Sequence, residues 1–294
     1  NSNKLEIPGG WILEYNSMGK TDEAERNQEA VSHPLNVEQS NSTVIVEGKN
    51  TPIAFKLERM LAFSKDENPE FDMNNKLMRE ESSVMPQTYG YLVLYNDKGE
   101  KASSGIVQEF IKNKGDMWNY SINYIKQKLH QGFLTQTELN EENCSEFMEL
   151  AATLGQRTQE MTDCFSKEDD NPDFTPEPVN DRFLHIYQKQ LQALLRKTQK
   201  NIADNLSFLS GTTQTQAQNL LNNWDKLTSD FIKRQIEKIN NSENKGTVCR
   251  VHGDFHLGQV LVTENNDLKF IDFAGEPALP IDQRKQKHIS VRDY

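Results

Sequence analysis

The stretch Val251–Pro277, VHGDFHLGQVLVTENNDLKFIDFAGEP, decides how this chain is read. Arg250-Val251-His252 leads into a tight Gly253-Asp254 turn, and Gln259-Val260-Leu261-Val262 has the apolar, β-branched character of a short strand. Glu264-Asn265-Asn266-Asp267 has the composition of a reverse turn, and Leu268-Lys269-Phe270-Ile271 is the returning strand. Asp272 follows that strand at once. Folded as a hairpin, the stretch brings Asp254, Gln259 and Asp272 to a single mouth.

That grouping has a chemical meaning. A kinase needs a carboxylate to accept the proton of the attacking hydroxyl, and an amide oxygen and second carboxylate to hold Mg2+ against the ATP phosphates. Its catalytic loop separates base and amide by four residues and places the metal aspartate after a hairpin. Here Phe255, His256, Leu257 and Gly258 separate Asp254 from Gln259, and Asp272 opens an Asp-Phe-Ala-Gly run. Gln in place of Asn lengthens the ligand by one methylene and keeps its oxygen. Read as turn formers alone, the two aspartates leave Gln259 and the D-F-x-G run unexplained. His252 and His256 have no Cys or third His near them in sequence, so they are expected to hydrogen-bond the loop, not to bind metal.

The 294 residues are enough for one large domain or two small ones. Lysine and arginine number 33 against 44 acids, a net charge of −11, which argues against nucleic acid as a partner. An apolar fraction of 35% implies a globular core under a very polar surface. Cys144, Cys164 and Cys249 are far apart and form no framework, so a reducing cytoplasm is the expected compartment. No apolar run reaches membrane-span length and no signal peptide is evident. The missing initiator Met and the end soon after Asp272 make truncation at both ends an expectation.

Upstream, Trp11 opens a strand after a Pro-Gly-Gly turn, and Lys20 to His33 is a weakly helical piece closed by Pro34. Glu38-Gln39-Ser40-Asn41-Ser42 is a polar loop, followed by strands at Thr43–Glu47 and Thr51–Leu57. Loop, strand, turn and a strand ending near a lysine is the layout of a nucleotide lobe. Ser40, Asn41 and Ser42, with the loop's backbone amides, are candidates to cradle phosphates. Lys56 is then the residue that reaches the α- and β-phosphates; as an ordinary edge-strand lysine it would be solvated. Asn68-Pro69 starts a helix with Glu70 and Asp72 in its first turn, and either acid is a candidate partner of Lys56. Strands at Tyr89–Leu94 and Gly105–Ile111 follow, and Gln108, Glu109 and Phe110 fall where backbone groups would meet adenine. Beyond Lys114-Gly115 the spacing is helical over Trp118–His130, Glu138–Cys164, Asp181–Leu206 and Gln214–Asn240. Glu168 to Pro178 reads as a loop with solvated acids.

These residues resemble the maltokinase family, aminoglycoside-phosphotransferase-like sugar kinases often associated with or fused to trehalose synthase. His252–Leu261 is similar to its catalytic motif, Asp272–Pro277 to its metal motif, Glu38–Ile45 to its phosphate loop, and Val107–Phe110 to its hinge. Asn68–Asp72 is similar to the start of its lysine-partner helix, Leu154-Gly155 to that of its first long helix after the hinge, and Val291-Arg292-Asp293 to its post-catalytic segment. The resemblance implies transfer of the ATP γ-phosphoryl group to the anomeric hydroxyl of maltose. It makes Asp254 the base, Gln259 and Asp272 the Mg2+ ligands and Lys56 the phosphate lysine, and it puts Asp72 where the family has its helix glutamate. Ala274 and Thr162 depart from the family pattern.

The expected fold is α+β: a bilobal protein-kinase-like fold, with a β-rich nucleotide lobe over residues 1–112 and a mainly helical lobe over 113–294 that holds the hairpin 251–277. The expected cofactors are ATP and Mg2+, and the expected partner is a small sugar, maltose first. Two other readings stay open: a glucosamine or other small-molecule kinase, and a non-catalytic kinase-like module docking with a trehalose-forming enzyme.

Overall fold

The computed structural model describes residues 3–18, 30–35, 42–48, 51–59, 61, 63, 68–135, 140, 142–243 and 245–293. The chain packs as two compact units: Asn1–Thr175 with Cys249–Tyr294, and Pro176–Val248. A boundary at residue 112 falls inside the first of them.

In the first unit, seven strands form one antiparallel sheet in the order β1-β2-β6-β7-β5-β4-β3. They are β1 (Lys4–Ile7), β2 (Trp11–Ser17), β3 (Val31–Pro34), β4 (Ser42–Glu47), β5 (Ile53–Leu57), β6 (Thr88–Tyr95) and β7 (Lys101–Glu109). β5 lies inside the sheet, so Lys56 stands opposite Thr43 of β4 and Ile106 of β7. It is not an edge residue. Of the weakly helical piece expected over Lys20 to His33, residues 20–29 lie outside the described residues and the end is corrected: Val31–Pro34 is a strand against β4, Val31 opposite Glu47 and Pro34 opposite Val44. It is the outermost strand, the one place where a proline does not interrupt a ladder.

Helix α1 (Pro69–Arg79) begins where Asn68 caps it: Oδ1 accepts the Glu70 N–H at 3.0 Å, and Pro69 takes the position that needs no donor. Its buried face carries Glu70, Met73, Asn74 and Leu77, at helical spacing. Phe71 stacks on Tyr91 of β6, with centroids 4.3 Å apart. The far end of α1 is tied down by charge. Lys76, 1% exposed, meets Glu80 at 2.9 Å and Asp169 at 3.0 Å, and Arg79 meets Asp169 at 2.8 Å. Asp169 is thus no solvated loop acid: its side chain is 3% exposed and paired with two cations.

The predicted hairpin is present as β11 (Val260–Thr263) and β12 (Leu268–Phe270), with Val260 opposite Phe270 and Val262 opposite Leu268. A third strand, β8 (Asn113–Asp116), pairs with β11 through Leu261 and Asp116. Asn-Lys-Gly-Asp has no strand-forming residue, and only pairing makes it one. Helix α2 (Met117–Thr135) follows. Helix α3 (Ser145–Phe165) starts later than its periodicity suggests. Asn140 and Asn143 exchange side-chain-to-backbone hydrogen bonds at 3.1 and 3.0 Å around the short 3₁₀ turn Glu142–Cys144 that precedes it. The core joins Met73 and Leu77 of α1, Met161 and Phe165 of α3, Val260 and Phe270 of the hairpin, and Phe174 and Phe273. A short α7 (Ile281–Arg284) lies near the end of the chain.

The second unit contains β9 (Glu177–Pro178), α4 (Asp181–Asn205), α5 (Gly211–Asn222) and α6 (Trp224–Asn240), with Thr247 and Val248 of β10 (Thr247–Cys249) pairing back onto β9. The single helix expected over 214–240 is two. Asn223 leaves helical geometry at φ −108°, and its side chain donates to the Asn219 carbonyl at 2.9 Å, competing with the backbone ladder. All three cysteines are free. Among the described residues no helix is long and apolar enough to cross a membrane.

Candidate active site

Lys56 is brought out of the sheet toward two carboxylates from different elements. Its Nζ lies 2.7 Å from Oδ1 of Asp272 and 3.2 Å from Oε1 of Glu70. The residues left Glu70 and Asp72 both open for the second place, and the family resemblance favoured Asp72; here it is Glu70 that meets Lys56. One helical residue turns the side chain by about 100°, so two positions on from Glu70 the direction differs by roughly 200°. Asp72 accordingly faces away from β5 and pairs with Lys285 at 3.6 Å.

The two carboxylates divide the charge of one ammonium unequally. Burial disfavours the charged form of Asp272, but Lys56, with help from His252 and Gln259, outweighs it and holds the carboxyl below its usual range. Glu70, only 2% exposed, is dominated by burial; Lys56 offsets part of this, Asp272 adds to it, and the carboxyl is pushed up to about 7. Lys56 is itself desolvated, yet its two carboxylate neighbours raise it and keep it charged.

Asp272 adopts φ +68°, a left-handed conformation that aspartate tolerates better than most residues but that still costs energy. Gln259, at the start of β11, donates Nε2 to Oδ2 of Asp272 at 3.4 Å, and its backbone carbonyl accepts Ile271 N–H at 3.0 Å. Amide and carboxylate are therefore adjacent, as the hairpin pattern predicts.

The loop before β11 carries Asp254. Burial raises its carboxyl, and the nearby charge of Glu276 raises it further, against the opposing effect of His256 and His252. The loop's shape depends on Gly253, at φ +83°. A Cβ there would take on that backbone strain, and would lie 3.5 Å from the Cα of Gly275 in the loop after Asp272. The loop that carries Asp254 and the loop that follows Asp272 thus pass backbone to backbone.

His252 holds the loop, as expected. Its Nε2–H donates to the Ile271 carbonyl at 3.0 Å, and burial lowers its pKa. His256 caps the turn to Gln259, its Nδ1 accepting Gly258 N–H at 3.0 Å. Sequence reading gave no role to Asp293, which is 5% exposed. Its carboxylate accepts His252 N–H at 2.6 Å and Gly253 N–H at 3.1 Å. The Val291-Arg292-Asp293 run was visible, but only long-range folding reveals what it grips.

Other candidates stand apart from this cluster. Ser40 and Asn41 lie outside the described residues; Ser42 opens β4, where its Oγ accepts from Arg59 Nε at 3.1 Å. Gln108 donates Nε2 to Thr88 Oγ1 at 3.0 Å, while the N–H groups of Glu109 and Phe110 donate to the carbonyls of Gln87 and Pro52, both at 2.8 Å. Those two backbone donors are already used inside the sheet, so any contact of this segment with adenine runs through other groups.

No protein-family model matches the chain. Among solved structures, one crystal form of a glucosamine kinase aligns with a TM-score of 0.60 at 16% identity, over 96% of this chain and 57% of that one. A glucosamine kinase in complex with glucosamine, ADP and inorganic phosphate gives 0.59 at 17% identity, over the same 96% and 57%. This chain thus spans a little over half the length of those kinases. The architecture built up above, an antiparallel sheet with α1 against it and the β11–β12 hairpin among helices, is the α+β, protein-kinase-like fold that it shares with them.

Proposed function

We propose that this chain is an ATP- and Mg2+-dependent kinase acting on a hydroxyl of a small sugar. The observation that carries the reading is the single Lys56 ammonium joined to both Glu70 and Asp272, with Gln259 beside Asp272 and Asp254 on the adjoining loop. A strand lysine oriented by a helix acid is the phosphate-holding device of kinases. Asp272 and Gln259 supply hard oxygen donors that suit Mg2+, provided that the Gln259 amide turns its oxygen where its Nε2 now points. Among the described residues no cluster of three or more acids, His or Cys forms a metal cage. Two protein ligands with phosphate oxygens filling the rest is the usual Mg2+ arrangement. Bound there, the metal neutralises charge on the transferring phosphoryl group. Lys56 fixes the phosphates, and Asp254 orients the acceptor hydroxyl and takes its proton.

The motif resemblance makes the anomeric hydroxyl of maltose the first acceptor to try, and leaves docking with a trehalose-forming enzyme as a reading to check by co-purification. One observation favours a second acceptor class: Glu276 adds negative charge beside Asp254, which suits an amino sugar such as glucosamine. Turnover of labelled ATP with maltose and with glucosamine decides between them. Transfer to neither, in a protein that binds Mg-ATP, rejects both acceptors, and no nucleotide binding rejects the kinase reading.

A further inference from the structure

Asp72 is left over by the site, although it carries charge at the start of the helix that supplies Glu70. It has two cationic neighbours. Lys285 Nζ lies 3.6 Å from its Oδ2, with both side chains partly buried. The Arg250 guanidinium, 1% exposed and 5.2 Å above the Phe174 ring, has buried Nε and Nη1 groups with no hydrogen-bond partner among the described residues; Asp72 and Asp173 are the carboxylates whose charge acts on it. Arg250 leads directly into the loop that carries Asp254.

Lys285 also sits in a special segment. Its neighbour Arg284 donates Nε to the Leu279 carbonyl at 2.7 Å and Nη2 to the Pro277 carbonyl at 2.9 Å. The Arg284 Cβ lies 3.2 Å from where a Cβ on Gly275 would stand, so it packs on the loop after Asp272. Farther on, Asp293 accepts the N–H groups of His252 and Gly253. One short segment therefore touches the loop after Asp272 through Arg284, the loop that carries Asp254 through Asp293 and α1 through Lys285.

We infer that Lys285 and Asp72 form a positioning latch, through which this segment sets the seating of α1 and hence the Glu70–Lys56 contact. The inference rests on the kinase reading for its effect on nucleotide binding, but not for the contact itself. The latch registers α1 against the same segment that holds both catalytic loops, so that phosphate lysine, metal carboxylate and base are aligned together. The bland alternative is that Asp72 merely favours the positive end of the helix dipole, a local effect that needs no Lys285.

A double-mutant cycle separates the two. Asp72→Asn, Lys285→Met and the double variant are compared for Mg-ADP affinity, for KM and kcat, and for Tm; Lys285→Arg is the conservative control. Each single change is expected to weaken Mg-ADP binding by up to about 5-fold, the upper end for a partly exposed ion pair. The double variant should be no worse than either single one, the loss should fall on KM more than kcat, and Lys285→Arg should return to within about twofold of wild type. Losses that multiply, or a Lys285→Met protein indistinguishable from wild type, overturn the latch. If the wild type binds no nucleotide, the kinase reading is what has failed. The Tm values of the same proteins then decide the latch: a double variant no less stable than the singles supports it, and additive Tm losses reject it.

Discussion

Oδ2 of Asp293 accepts the backbone N–H of His252 at 2.6 Å, across 41 residues of chain. With its partner oxygen on Gly253 N–H, one buried carboxylate satisfies two consecutive donors of the loop that presents Asp254. Asp293→Ala leaves both donors unpaired in the interior, at about 1–3 kcal/mol each. At roughly 2–4 °C per kcal/mol, Tm should fall by at least several degrees. Calorimetry of the two proteins checks this, and an unchanged Tm would show that the loop holds its shape without Asp293.

Asp272→Ala removes the carboxylate that meets both Lys56 and Gln259. Turnover should vanish and Mg-ATP affinity should fall, since the phosphoryl charge loses its main counter-ion site. Gln259→Ala should act in the same direction but less severely, and chelation of Mg2+ should silence the wild type. Full turnover in Asp272→Ala would remove the proposed activity altogether.

Asp254→Asn keeps size and hydrogen bonding but cannot accept a proton. General-base assistance is worth about 10²- to 10⁴-fold, so kcat should drop by that order while Mg-ATP affinity changes little. Steady-state kinetics beside calorimetric nucleotide titration gives both numbers. Lost nucleotide binding with turnover retained at saturation would make Asp254 a nucleotide ligand.

Glu70 gives a pH dependence with a definite sign. Its carboxyl sits at about 7 in the folded chain against an ordinary 4.5, so the folded state keeps the proton longer. The group therefore adds stability at low pH, and that contribution is lost as pH rises between those values. Glu70→Gln has no such titration, so its stability relative to wild type should climb from about pH 4.5 to 7. Urea midpoints of both proteins across that window test it; a relative decline would contradict the buried state of Glu70.

Short-range patterns were legible in the sequence. The hairpin at Val260–Phe270, the turn that places Gln259 beside Asp272, and the capped start of α1 each depend on residues a few positions apart. Choosing between Glu70 and Asp72 was harder, because it depends on the rotational phase of α1 against β5. A charge two positions along the helix looks equivalent in sequence and points elsewhere in space. Asp169 and Asp293 were opaque for another reason. Both are acids in polar surroundings whose partners, Lys76 and the His252 backbone, lie far away in the chain. β8 likewise exists only through its pairing with β11.

The ion cluster of Lys76, Glu80 and Asp169 fixes one end of α1, while Glu70 sits near the other. Any tilt of the helix would pivot about this buried ammonium. From Lys76 to Glu70 the arm is about 9 Å, so a tilt of only about 10° carries the Glu70 carboxylate about 1.5 Å. A displacement of that size would open its 3.2 Å contact with Lys56. The Glu70–Lys56 contact is therefore the one most exposed to any rotation of α1 about Lys76.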